Sequence, residues 1–210
     1  MATLNIRSIV KRKYQVQRDE KAQQHRTKFS RCSSSLNDSA FYAGQLEACE
    51  MDGDWLKAVE LLAEVRALKL DLPGEAFEPA VRLCAQSGQW QKAVSILEQA
   101  HAQGSVSSPT TVAVFTTLLR ESQPAAALRL LKDMEQRGAN NWEARGQCHN
   151  LVARTCARGG MLDEGLELLD SMYKAELQIQ RDTYEALALG CLRAGRGERA
   201  EELFEERDYM

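Results

Sequence analysis

The chain is expected to be all-α: a right-handed α-solenoid of about five helix-turn-helix repeats behind a basic N-terminal arm. Three observations carry this expectation. One unit recurs five times from about residue 40 onward, and its anchor residues, Tyr42, Phe77, Thr111, His149 and Tyr184, stand 35, 34, 38 and 35 residues apart. Eleven residues past the anchors come Gly53, Gly88, Ser122, Gly160 and Gly195, where a tight turn belongs. Sixteen past them come the small residues Ala58, Ala93, Ala127, Gly165 and Ala200, each followed by an apolar pair such as Leu61–Leu62 or Leu168–Leu169. A fixed period with turn and small residue in phase marks stacked helix pairs. Each pair buries its apolar face only against its neighbours, so the array presents an extended binding surface.

Residues 1–39 come first and differ from the rest. They carry nine Lys or Arg against three acids, whereas residues 40–210 carry 18 against 27, so a basic segment precedes an acidic body and the net charge is −3. Arg7, Lys11, Arg12, Lys13 and Arg18 are the candidate contacts here, and the first eighteen residues hold no acid. An Arg-rich, acid-poor segment ending in Ser33, Ser34 and Ser35 has the composition of an organellar transit peptide. The same charges equally suit a retained arm that orders against an acidic partner or nucleic acid.

The repeats follow near 40–74, 75–108, 109–146, 147–181 and 182–210. In the first, Gly53 and Asp54 before Trp55 read as a turn and a helix N-cap. In the second, Phe77, Val81 and Cys84 recur at helical spacing with Glu78 and Arg82 between them. Its second helix, from Trp90, sets Ala93, Val94, Ile96 and Leu97 opposite Gln91, Lys92, Glu98 and Gln99. The third departs most: Ser122 replaces the turn glycine, Pro124 opens its second helix, and a three-residue excess falls in the link around Gly138–Trp142. Trp142 there either plugs the seam between repeats or contacts a partner. The acids Glu201, Glu202, Glu205 and Glu206 of the fifth repeat lie at helical spacing on an outer face.

Six cysteines do not form a metal or disulfide framework. Cys49, Cys84, Cys156 and Cys191 each fall seven residues after an anchor, which makes them one inward helix position repeated four times. There is no C-x-x-C pair, and the three histidines, His25, His101 and His149, stand in separate contexts. Phosphate-loop, nucleophile-elbow and zinc-protease motifs are absent from the sequence. No catalytic residue, cofactor or metal is therefore assigned. No apolar run approaches the roughly 20 residues that a membrane-spanning helix needs, which leaves peripheral association open.

Residues 182–207, with Tyr184-x-x-Leu187 at the start and Ala194-Gly195-Arg196 at the turn, resemble a pentatricopeptide repeat. So do residues 147–172, and the likeness extends over about four-fifths of the chain, loosely in the third copy; the tetratricopeptide repeat is the nearest rival. The family consists mostly of plastid and mitochondrial RNA-binding proteins that read one base per repeat. The resemblance places the reading pairs at Ala43 with Pro73, Glu78 with Ser107, Val112 with Arg145, and Asn150 with Gln180. Only Asn150 satisfies half of the family's usual pair, and Glu78 and Glu185 carry the wrong sign for a nucleic acid.

The resulting expectation is a non-catalytic scaffold: an accessory subunit that binds other protein subunits of a large organellar assembly, whether ribosomal, photosynthetic or respiratory. The alternative is an organellar RNA-binding protein of weak sequence specificity, in which Arg145, Arg154, Arg158, Arg193 and Arg196 meet phosphates. Asn150, Arg145 and Trp142 complete the candidate contacts with the basic arm.

Overall fold

In the computed structural model, which describes residues 35–137 and 144–208, every regular element is helical. From Tyr42 onward the described residues form one compact unit. The helices are α1 (Ser35–Asp52), α2 (Trp55–Ala67), α3 (Glu78–Gln86), α4 (Trp90–Gln103), α5 (Ser108–Arg120), α6 (Pro124–Gln136), α7 (Arg145–Gly159), α8 (Leu162–Lys174), α9 (Arg181–Arg193) and α10 (Gly197–Asp208). From α3 onward, odd-numbered helices pack on the odd-numbered helices of adjacent repeats, and each even-numbered helix from α2 to α8 also touches the first helix of the next repeat.

The turns follow from backbone geometry. Gly53, Gly88, Gly160 and Gly195 all have φ between +72° and +82°, the left-handed region that glycine enters without steric cost. Ser122 takes the same conformation at φ +50°. Asp54 caps α2, its carboxylate accepting from the Lys57 amide at 3.1 Å.

Ala58, Ala93, Ala127 and Ala200 are fully buried. At Gly165 in the same register, a Cβ would stand 3.1 Å from both Cys156 Cβ and Leu187 Cδ2, so the helices there touch backbone to side chain. The thiol row lies inside as well. Cys49, Cys84, Cys156 and Cys191 are completely covered, with Leu118 filling the third repeat. Burial pushes the Cys84 thiol up to about 11 and that of Cys156 up to about 12. His149 is a packed anchor, with Nδ1 2.8 Å from the Arg145 carbonyl and Nε2 3.0 Å from a Glu135 oxygen.

One boundary differs from the sequence expectation. Phe77, expected in the first helix of its repeat, sits in a 3₁₀ turn at Gly74–Phe77, and α3 begins only at Glu78. The link is pinched: a Cβ on Gly74 would lie 2.7 Å from the Ser105 carbonyl oxygen.

Candidate binding surface

The first helices of repeats one to three form a polar network that spans all three. In α3, Arg82 makes a two-pronged contact with Glu50 of α1, at 2.7 Å for both Nε and Nη2. Its Nη1 reaches Glu78 at 3.1 Å and Thr110 at 3.2 Å. Glu78 in turn accepts from the Ser107 amide at 2.7 Å, the Ser107 hydroxyl at 2.5 Å and the Thr110 hydroxyl at 2.7 Å. Burial pushes the Glu78 carboxyl up, but the Ser107 and Thr110 bonds and the Arg82 charge outweigh it and hold it below the usual carboxylate range. The Arg82 guanidinium is raised, chiefly by its bonds to Glu50.

Beside this network lies a groove of about 840 Å³, lined by Gly44, Ala48, Met51, Pro79 and Val106 together with the acids Glu47, Glu50, Glu75 and Glu78. Among the described residues of the lining Arg82 is the one cation, and its donors are committed to Glu50, Glu78 and Thr110. The groove is therefore electronegative.

Asn150 plays in the fourth repeat the part that Glu78 plays in the second. Its Nδ2 donates to the Gly146 carbonyl at 2.7 Å and the Gln178 carbonyl at 2.8 Å, while Oδ1 accepts from the Gln180 amide at 2.8 Å and the Thr183 hydroxyl at 2.7 Å. The residue is 1% exposed. The sequence reading put Asn150 at a partner contact; here its carboxamide clasps the start of the next repeat, and a ligand reaches it only by displacing those bonds. Arg145 is half-buried, with Nη2 3.6 Å from Glu135 and a buried Nε that has no hydrogen-bond partner. Arg7, Lys11, Arg12, Lys13, Arg18 and Trp142 lie outside the described residues.

A second feature lies at the far ends of the first helices. Arg120, Arg158 and Arg193 each fall nine residues past an anchor, so successive helices carry a cation at one level. Arg120 donates to the Ala85 carbonyl at 3.0 Å and pairs with Glu121 at 3.1 Å, Arg193 donates to the Leu189 carbonyl at 3.2 Å, and Arg158 is exposed. The neighbouring Arg154 and Arg196 are paired with Asp182 at 3.6 Å and Asp163 at 2.5 Å. Sequence reasoning missed the Glu50–Arg82–Glu78 chain of contacts; aligning the repeats would have shown Ser107 and Thr110 at the helix start that follows Glu78. Among the described residues, no group of three or more His, Cys, Asp and Glu side chains is placed to hold a metal, and no helix is long and apolar enough to cross a membrane.

Comparison with known proteins agrees with this architecture. The pentatricopeptide (PPR) repeat model matches residues 148–177 and 182–206. No curated protein matches the chain. Among solved structures, the PPR domain of Arabidopsis thaliana protein-only RNase P 1, in complex with tRNA, superposes with a TM-score of 0.62 at 17% identity, covering 80% of this chain and 88% of that one. Nuclear proteinaceous RNase P 2 from A. thaliana gives 0.66 at 14% identity, over 80% of this chain and 38% of that one. The maize pentatricopeptide repeat protein PPR10 gives 0.52 at 26% identity, over 80% of this chain and 24% of that one. Residues 148–177 and 182–206 thus match the pentatricopeptide repeat in sequence, and the paired-helix array is shared in structure with solved proteins built from that repeat.

Proposed function

We propose that this protein is a non-catalytic adaptor, an accessory subunit of a larger organellar assembly, whose first three repeats hold a basic segment of a partner protein. The observation that carries the reading is the groove of about 840 Å³, whose described lining holds four carboxylates against one guanidinium; Glu50 and Glu78 share that guanidinium, and Glu47 and Glu75 stand outside the network. Such a lining attracts lysine and arginine side chains and repels phosphate. The clasping role of Glu78 and Asn150 supports it too, since side chains engaged in joining repeats are not free to read bases. The acid-poor leader supports the organellar placement.

RNA binding is the second reading, favoured by the row Arg120, Arg158 and Arg193, which tracks successive repeats as a phosphate backbone would require. The test is sedimentation of the native protein in a gentle organelle lysate, with and without ribonuclease. The adaptor reading expects a heavy particle, outside the ribosomal fractions, that survives the nuclease and is lost in a Glu47→Lys/Glu75→Lys variant. Collapse on nuclease treatment to a free chain of 23.5 kDa, or loss of the particle only in an Arg120→Glu/Arg158→Glu/Arg193→Glu variant, would establish the RNA reading instead.

A further inference from the structure

The repeat register shows what covers each first helix. Eight residues past the anchor stand Ala85, Leu119 and Ala157 in the second, third and fourth repeats, all buried beneath the first helix of the repeat that follows. The covering helix brings small residues to the crossing: the Thr117 hydroxyl bonds the Ala85 carbonyl at 3.1 Å, and a Cβ on Gly190 would lie 3.5 Å from the Ala157 carbonyl. It also brings its first turn to the residue after the anchor, as Ser107 and Thr110 come to Glu78.

The fifth repeat repeats this face, and there it is exposed among the described residues. Leu192, in the register of Ala85 and Ala157, is 50% exposed, and Leu189 one turn earlier is 51% exposed. Phe204 on α10 is only partly buried, whereas its counterparts Leu62, Leu97, Leu131 and Leu169 are closed over. Glu185 is the counterpart of Glu78. It pairs with Arg207 at 3.3 Å and with Arg181 at 3.7 Å, and Arg207 lies over the Phe204 ring at 5.1 Å. Arginines on the carboxylate do not preclude hydroxyl donors, because Glu78 holds Arg82, two hydroxyls and a backbone amide at once.

We propose that the face built from Glu185, Leu189, Leu192 and Phe204 docks an α-helix of a partner protein, one whose first turn presents Ser and Thr hydroxyls to Glu185 and whose small residues cross over Leu189 and Leu192. The interface continues the one that already joins the repeats, so the partner's chemistry is set by what covers Glu78: a Ser-x-x-Thr helix start. This surface is separate from the groove of repeats one to three.

The probe is a synthetic helical hairpin with the sequence of residues 105–136, titrated into the full chain and followed by calorimetry. The expected result is saturable binding that weakens at least tenfold with Leu192→Glu in the protein. The same loss is expected when Ser107→Ala and Thr110→Ala are placed in the probe alone, a change that leaves the protein's own folding untouched. Glu47→Lys/Glu75→Lys should leave probe binding unchanged, so that this inference and the groove reading fail separately. Absence of saturable binding, or binding indifferent to both Leu192→Glu and the altered probe, overturns the proposal. Concentration-dependent self-association of the full chain that Leu192→Glu abolishes overturns it too, because the face would then belong to a second copy.

Discussion

Ser122 is the single non-glycine among the five left-handed turns inside the repeats, Lys69 and Glu176 taking that conformation only in links between repeats, and the register alone locates it. A side chain in that region crowds its own backbone by roughly 1 kcal/mol or more. Ser122→Gly is therefore expected to stabilise the chain by about 0.5–1 kcal/mol, offset in part by the added freedom of the unfolded glycine. A rise in the urea midpoint at unchanged slope would show it; an unchanged or lower midpoint would mean that the serine turn is not strained. Such a residue is legible in sequence because its neighbours 34 to 38 positions away declare its role. Asn150 is not legible in the same way. What buries it is a link that folds back some thirty residues later, bringing the Gln178 carbonyl and Gln180 amide onto its carboxamide, and no local pattern announces that.

Helices one and two of each repeat could be written down from periodicity, but the pieces between them could not. The 3₁₀ turn at Gly74–Phe77 exists because the link must slide past the Ala100 and Ser105 carbonyls, a contact between segments that only the assembled array defines. Glu78 shows what such joints contribute. Its carboxyl is held below the 4.5 of an unconstrained glutamate, so its stabilisation is complete above that value and fades as the pH falls through the folded-state value. At neutral pH, Glu78→Gln should cost about 1–3 kcal/mol, since it swaps a charged acceptor of several bonds for a neutral one. Its stability should also decline less steeply than that of the natural protein on acidification below pH 4.5. Parallel stability curves for the two proteins would remove Glu78 from the acid response.

For the whole array, the buried thiols report opening. Burial raises the described thiols and covers them, so reaction with a thiol reagent requires the surrounding helices to part. In a nearest-neighbour array a unit with an uncovered apolar face opens at a lower free energy than one covered on both sides, and the fifth repeat exposes Leu189 and Leu192. Cys191 should therefore label faster than Cys156 and Cys84 under native conditions, read by mass spectrometry of timed samples. Identical rates at all three would mean that the array opens in a single cooperative step.

Among the described residues the apolar interior is not one body but two, and they meet on adjoining faces of the same helix. Val152 and Cys156 of α7 belong to the cluster that runs back to Tyr42, whereas Ala153 and Ala157 belong to the one that ends at Leu203. α7 is thus a party wall between two rooms. A change in the girth of α7 presses on both rooms, and Leu168 of α8, which packs against both, is a second place through which a disturbance at either end can be heard at the other.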